Sequence, residues 1–215
     1  LILSPVKNGL RSYNPMEYTI NIKGRLMDLS TPQVMGILNV TPDSFYSGSR
    51  KQTEMEIAQR ANQIIEEGGS IIDVGAFSTR PGADEVSEEE EGRRLKFALD
   101  IVRREQPDAA VSVDTYRPTL ARKCIEEWGA DIINDVSEGG ITGIVNVPLE
   151  QRQEEYPEMF RVVGELKVPY ILMSVQPTLE TMMKGFAKEV QQLRDLGAKD
   201  IILDPGFCFG KNLIQ

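Results

Sequence analysis

The chain has 215 residues, which is long enough for one domain with a sizeable hydrophobic core. Acidic residues outnumber basic residues by 33 to 24, and the resulting net charge of -9 makes nucleic acid a poor candidate partner. The sequence contains no histidine, which excludes the commonest general base and the commonest zinc ligand. Any chemistry must therefore use carboxylates, lysine, arginine or an oxygen-bound metal.

The cysteines and the apolar runs indicate the compartment in which the protein works. Cys124 and Cys208 lie far apart and form no CxxC pair, so they predict neither a disulfide framework nor a zinc site. No apolar run approaches the roughly 20 residues that a membrane span needs, and the amino end lacks the order of a signal peptide. The sequence therefore predicts a soluble, cytoplasmic protein without a membrane partner.

The amino-terminal part of the chain divides into two segments. Residues 1–15 show no periodicity and are interpreted as an extension outside the fold. In Met16–Leu29, apolar residues alternate with polar ones on either side of a turn at Lys23-Gly24. This pattern predicts a β-hairpin that closes the amino-terminal mouth of the sheet, and the domain is expected to extend over residues 16–215.

The remainder of the chain alternates between two patterns. Short apolar runs predict buried strands at Val34–Leu38, Ile71–Val74, Ala109–Val113, Ile132–Val136, Pro169–Met173 and Ile201–Leu203. Patterns with helical periodicity lie between most of these runs, at Glu54–Glu67, Ser87–Glu105, Pro118–Trp128 and Thr178–Leu196. The segment Ser137–Pro157 is glycine-rich and then charged, and it is interpreted as a variable excursion.

Six strands that alternate with helices are typical of either a TIM barrel or a doubly wound sheet. No glycine-rich dinucleotide fingerprint follows the first sheet strand. The sequence therefore favours an α/β protein with the TIM (β/α)8 barrel fold.

One predicted helix start carries a conspicuous acidic run. Ser87, with Glu90 three residues later, fits a capping box. The run Glu88–Glu91 is interpreted as a solvated helix amino terminus that the helix dipole stabilises. No catalytic role is assigned to it.

Two loops after the first strands carry groups suited to a phosphorylated ligand. The turn Asn39–Phe45 clusters amide, hydroxyl and carboxylate oxygens. These oxygens suit Mg²⁺, although the same residue types also form ordinary Asx and Ser/Thr turns. The loop after the second strand carries Arg80, whose guanidinium suits phosphate or pyrophosphate, with an ordinary surface charge as the alternative.

Three further strand ends carry hydrogen-bond acceptors. Asp114, Asn134 and Asp204 each lie at or near the carboxyl end of a predicted strand, so in a barrel they would converge on one mouth. Such a pocket suits a ligand with ring N–H and amino donors, for example a pterin or a purine. The alternative is that each residue merely caps the next helix or turn. Asp73 lies inside an apolar run, where a buried carboxylate is costly unless it is paired.

Five motifs resemble those of the dihydropteroate synthase family in order and approximate spacing. They are Asn39–Phe45, Ser78–Gly82, Ser112–Thr115, Ile133–Asp135 and Asp204–Phe207, and the similarity extends from Met16 to Lys211. The family forms a TIM barrel, usually dimeric, and is the target of the sulfonamides. It condenses 6-hydroxymethyl-7,8-dihydropterin diphosphate with 4-aminobenzoate, which gives 7,8-dihydropteroate and diphosphate.

The resemblance implies a role for each matching residue. Asn39 would bind the Mg²⁺ that accompanies the diphosphate, and Arg80 would contact the diphosphate itself. The implied pterin-binding residues are Asp114, Asn134, Met173 and Asp204. The implied residues on the aminobenzoate side are Phe45, Thr79, Pro81 and Phe209. The implied catalytic residues are Arg80, Asp114 and Asp204.

The sequence departs from the family pattern at its carboxyl end. The family barrel has eight strands, whereas six are predicted in this chain. The family's Ser-Arg-Lys segment, with its pterin-stacking lysine, and its late Arg-x-His have no counterpart. We therefore expect a fragment or a truncated enzyme with little activity by itself, and a non-catalytic pterin-binding homologue is an alternative. A pterin-dependent methyltransferase is the second alternative, but it would not need Asn39–Phe45 and Arg80.

Overall fold

The computed structural model describes residues 18–40, 50–77, 86–140 and 156–207, with side chains from residue 53 onwards in the second range. The strands are β1 (Thr19–Ile22), β2 (Arg25–Asp28), β3 (Met35–Asn39), β4 (Ile71–Gly75), β5 (Ala110–Asp114), β6 (Ile132–Asp135), β7 (Tyr170–Met173) and β8 (Ile201–Asp204). The helices are α1 (Arg50–Glu66), α2 (Glu88–Glu105), α3 (Pro118–Glu126), α4 (Glu158–Leu166) and α5 (Leu179–Asp195). No helix in these ranges is long and apolar enough to cross a membrane.

The strands β3 to β8 form one parallel sheet in which neighbours follow chain order. A doubly wound sheet reverses its strand order at a switch point, so the sequential order confirms the barrel-type arrangement. All six predicted sheet strands form. Within the described residues, β3 and β8 each pair on one side only. On these edge strands, Ile37 is 57% exposed and Leu203 is 42% exposed.

The main hydrophobic core lies between the sheet and the helices. Each helix buries one apolar face because its apolar residues recur at helical spacing, as Leu95, Leu99 and Val102 do in α2. Helix α4 is not among the predicted helices. It places Phe160 and Val163 in the same core, and so it supplies the layer that covers the sheet between β6 and β7.

The predicted amino-terminal hairpin is confirmed as β1 and β2, which pair antiparallel. Ile20 and Ile22 are buried in a second apolar cluster, together with residues from the first halves of the sheet strands. Those sheet residues are Ile71, Ala110, Ile132, Ile171 and Ile202. An ion pair of 2.8 Å between Lys23 Nζ and Asp131 Oδ1 adds to this contact. The hairpin therefore covers the amino-terminal end of the sheet, which is the end opposite to the carboxyl ends of the strands.

Ser87 caps α2 as predicted, because its Oγ accepts a hydrogen bond of 3.2 Å from the Glu90 amide. The Glu90 carboxylate contacts Arg93 and Arg94, each at 2.7 Å. In the predicted capping box, the Glu90 carboxylate would accept a hydrogen bond from the Ser87 amide. In the structure it forms ion pairs with Arg93 and Arg94 instead.

Candidate functional site

Three of the predicted site residues lie in one row across the sheet. Asn39 pairs with Gly75, Gly75 with Asp114, and Asp114 with Asn134, so the row crosses β3, β4, β5 and β6. The three polar residues lie at or next to the carboxyl ends of their strands, which all point the same way in a parallel sheet. The structure therefore brings Asn39, Asp114 and Asn134 to one edge of the sheet, and their roles there stay predictions.

Gly75 leaves open space between two of these side chains. A Cβ atom at Gly75 would lie 3.0 Å from Asn39 Oδ1 and 3.5 Å from Asp114 Oδ2. A larger residue would therefore push the Asn39 amide out of the row. An amide oxygen in this position fits a Mg²⁺ ion that takes its remaining ligands from phosphate and water.

Asp204 and Met173 lie in the neighbouring strands β8 and β7, where they pair with each other. Asp204 Oδ1 accepts a hydrogen bond of 2.9 Å from the Gly206 amide, which is the turn contact expected in the alternative interpretation. The Asp204 carbonyl accepts a second bond, of 2.8 Å, from the Ser174 amide. These contacts hold the start of the Asp204–Phe207 segment at the sheet edge, and the Met173 side chain beside it is buried.

The buried carboxylate of Asp73 has the partner that the sequence required. Asn134 Nδ2 donates a hydrogen bond of 3.1 Å to Asp73 Oδ2. The other oxygen, Oδ1, has no hydrogen-bond partner among the described residues. Burial raises the pKa of Asp73, and the neighbouring side chains of Ser112 and Asn134 oppose that shift.

Electrostatics at the mouth centre on Asp114. Burial raises the pKa of Asp114 well above its ordinary value, and the charges of Asp73, Asp135 and Glu91 raise it further. A proton is therefore held more tightly here than on an isolated aspartate. A ligand that offers N–H donors or a positive charge would relieve this repulsion and favour the ionised carboxylate.

Asp135 organises the turn that follows β6. Its side chain is fully buried and accepts hydrogen bonds from the Ser137 and Gly139 amides, at 2.7 and 2.9 Å. The hydroxyl of Tyr170 donates a further bond of 2.6 Å. Burial raises the pKa of Asp135, and a hydrogen bond from the Ser137 hydroxyl, together with the bonds just described, opposes the shift. Asp135 thus fixes the backbone directly after Asn134.

The interpretation of the acidic run at the start of α2 as entirely solvated is wrong for Glu91. This residue is 0% exposed, it accepts a hydrogen bond of 2.7 Å from Thr115 Oγ1, and it lies 2.8 Å from Arg117 Nε. Burial raises the pKa of Glu91, and Thr115 and Arg117 oppose the shift. Glu91 shares the helix face of Leu95 and Leu99, so helical spacing was the signal that could have placed it inside.

Arg117, the ion-pair partner of Glu91, also contacts the segments that flank residues 78–85. Its Nη2 donates a hydrogen bond of 2.6 Å to the Val86 carbonyl, and its guanidinium lies 5.1 Å from the ring centre of Tyr116. The Tyr116 ring meets the Phe77 ring edge to face, with 5.3 Å between centres.

Five predicted site residues lie outside the described residues: Phe45, Thr79, Arg80, Pro81 and Phe209.

Comparison with known proteins gives concordant results. The chain matches the pterin binding enzyme family over residues 35–215. It is 36% identical over 206 residues to dihydropteroate synthase of Escherichia coli strain K12, and the alignment covers 89% of this chain and 67% of the relative. Dihydropteroate synthase of Xanthomonas albilineans, solved with 4-aminobenzoic acid, is 31% identical with a TM-score of 0.74, covering 92% of this chain and 69% of that one.

A second structure of the Xanthomonas albilineans enzyme, in complex with 7,8-dihydropteroate, is 28% identical with a TM-score of 0.70, covering 90% of this chain and 68% of that one. The sequential parallel sheet, with an acceptor-rich row at its carboxyl edge, defines an enzyme of the (β/α)8-barrel class. The chain belongs to the pterin-binding enzyme family, and within it to the dihydropteroate synthases. It is therefore a transferase of folate biosynthesis.

Proposed function

We propose that this protein condenses 6-hydroxymethyl-7,8-dihydropterin diphosphate with 4-aminobenzoate to give 7,8-dihydropteroate and diphosphate. The observation that carries this proposal is the row Asn39–Gly75–Asp114–Asn134, which places an exposed amide oxygen and a pair of pterin-type acceptors side by side. Membership of the dihydropteroate synthases supplies the reaction.

The pterin is assigned to the acceptors at the strand ends. Asp114 and Asn134 offer a carboxylate and an amide to ring N–H and amino groups, and Asp204 offers a third acceptor from β8. Met173 lies beside Asp204 and supplies an apolar flank. The buried negative charges that raise the pKa of Asp114 also favour a ligand that brings N–H donors or positive charge to this position.

The diphosphate is assigned to Asn39 and Arg80. Asn39 would hold Mg²⁺ through its amide oxygen, and Arg80 would donate to the phosphate oxygens. The bound Mg²⁺ would neutralise the negative charge that builds up on the departing diphosphate. Phe45, Thr79, Pro81 and Phe209 are assigned to the aminobenzoate side by the family resemblance.

The reaction exchanges one bond at the exocyclic methylene carbon of the pterin. The C–O bond to diphosphate breaks, the C–N bond to the aniline nitrogen forms, and that nitrogen then loses a proton to water. Positive charge develops on the pterin while the C–O bond breaks. The carboxylates of Asp114 and Asp204 stabilise that charge. Because water takes the proton from nitrogen, the step uses no histidine as a general base.

Two further properties belong to the proposal. We infer a homodimer and a cytoplasmic location, because the family is usually dimeric and because the two widely spaced cysteines fit a reducing compartment.

Diphosphate release tests the proposed reaction. The protein is mixed with dihydropterin diphosphate and Mg²⁺, with and without 4-aminobenzoate. We expect diphosphate release only when aminobenzoate is present. Release should be lost in Asp204→Asn and should persist in Asp195→Asn, a control at an exposed position. Pterin binding without any release would instead identify a non-catalytic pterin-binding homologue.

A further inference from the structure

Asp73 is not assigned to any part of the substrate, but it contacts Asn134, which is assigned to the pterin. It lies in β4 and Asn134 lies in β6, with β5 between them. In a barrel, side chains from alternate strands point inward into the same layer, which is how two residues 61 positions apart come into contact. The contact is a single hydrogen bond of 3.1 Å from Asn134 Nδ2 to Asp73 Oδ2.

This hydrogen bond selects one of the two orientations of the Asn134 amide. Asp73 Oδ2 accepts this bond from the amide nitrogen, and in its ionised form Asp73 can only accept, whereas an amide has a donor end and an acceptor end. With Asp73 ionised, turning the amide over would place its oxygen against the Asp73 oxygen and lose the hydrogen bond inside a buried site. The Asn134 nitrogen is therefore committed to Asp73, and its oxygen remains as the acceptor for another group.

A carboxylate at this position is expensive for the fold. Its neighbours along β4, Ile72 and Val74, are fully buried, and Asp73 itself is only 5% exposed. Packing alone would favour an apolar residue in such a strand, since burying a charge with one partner costs free energy. A role at the site accounts for a residue that the core does not require.

We propose that Asp73 is a positioning residue that holds the Asn134 amide with its oxygen toward the pterin, so that this part of the site takes an N–H donor and rejects a carbonyl. The inference rests on the proposed function, because it needs a pterin at the mouth. It makes Asp73 a determinant of specificity for the amino-bearing edge of the ring.

Two ligands that differ at ring position 2, and in the hydrogen carried by the adjacent N1, test this role. 6-Hydroxymethylpterin carries a 2-amino donor, and its 2,4-dione analogue carries a carbonyl at the same position. Calorimetry gives the dissociation constant of each ligand, and the ratio of the two constants measures discrimination. The protein should prefer the pterin, and Asp73→Val should lower the ratio by about tenfold, because the freed amide can turn its nitrogen toward the carbonyl.

The variant Asp73→Asn is nearly isosteric and should give an intermediate ratio, since an amide at this position can pair with either end of Asn134. It carries the test if Asp73→Val does not fold. Asp131→Asn is the matched control: it also neutralises a buried aspartate, but one that pairs with Lys23 and Arg103 at the opposite end of the sheet. Its ratio should stay at the wild-type value.

The outcomes separate this inference from the proposed function. A wild-type protein that binds neither ligand contradicts both. A wild-type protein that prefers the pterin, with the same preference in Asp73→Asn and Asp73→Val, overturns the positioning role and leaves the proposed function standing. Equal weakening of both ligands in the Asp73 variants shows a purely structural role and also overturns the inference.

Discussion

At the scale of single residues, the site differs from the rest of the molecule in its buried carboxylates. Glu91 contacts Thr115 and Arg117, whereas Asp73 has one hydrogen bond to one of its oxygens. Since an unpaired buried charge is costly, these acids are stable only with their particular neighbours. The pairing of Glu91 is the more complete, and so its loss should be the more damaging to the fold.

Replacing Glu91 by alanine should destabilise the protein by about 3 kcal/mol, because it leaves the Arg117 charge and the Thr115 hydroxyl without their partner. Urea unfolding measures this change. The neighbouring Glu89 is exposed, so Glu89→Ala should change stability by less than about 0.5 kcal/mol. Equal effects of the two substitutions would show that the buried ion pair has no structural weight.

The sequence identified the acceptors at the strand ends but not their partners. Asn39, Asp114 and Asn134 could be located because each one ends an apolar run, and such ends meet at one edge of a parallel sheet. The contact between Asp73 and Asn134 depends on the register across three strands, which no local pattern contains. The buried position of Glu91 was available from helical spacing, but the surrounding acidic residues concealed it.

At the scale of helices and strands, the hydrophobic periodicity, together with the glycine, proline and polar residues that end each run, predicted most elements. The six sheet strands and four of the helices form within a few residues of their expected bounds, because buried strands and amphipathic helices leave strong patterns. Helix α4 was missed since it directly follows the glycine-rich and charged segment. The hairpin was recognised from its alternation of apolar and polar residues. Its packing against the sheet should contribute measurably to the free energy of unfolding.

The hairpin should stabilise the domain through its buried face. Ile22 is 3% exposed against the sheet, so Ile22→Ala should lower the free energy of unfolding by about 2–4 kcal/mol. Leu26, on the other strand of the same hairpin, is 73% exposed and provides the control. Similar unfolding midpoints for Ile22→Ala and Leu26→Ala would mean that the hairpin is not docked on the sheet.

At the scale of the whole molecule, many buried acids couple stability to pH. Burial, together with a hydrogen bond and the charge of Glu138, raises the pKa of Glu189 in α5 to about 9. The pKa values of Asp73, Glu91, Asp114 and Asp135 are also raised. An acid whose pKa is higher in the folded state holds its proton there after the unfolded chain has lost it. Its stabilising contribution is therefore complete below the ordinary pKa and disappears as the pH rises through the raised value.

The ligand-free protein should consequently lose stability between about pH 5 and pH 9, by up to about 1.4 kcal/mol per pH unit for each proton retained. Urea unfolding at a series of pH values measures this slope. Glu189→Gln should flatten the slope, because glutamine is neutral at every pH. A stability that rises with pH over this range, or an unchanged slope in Glu189→Gln, would contradict the assignment of a retained proton to Glu189.

The central claim is that the row of acceptors at the carboxyl edge of the sheet binds a pterin, and the pH dependence of pterin affinity tests it most directly. Calorimetric titration with 6-hydroxymethylpterin would be carried out on the wild type and on Asp114→Asn. Wild-type affinity should fall as acidification protonates Asp114, whose pKa is raised, while Asp114→Asn should bind at least about tenfold more weakly with little pH dependence. Equal affinities of the two proteins, or a wild-type affinity that does not change on acidification, would contradict the claim.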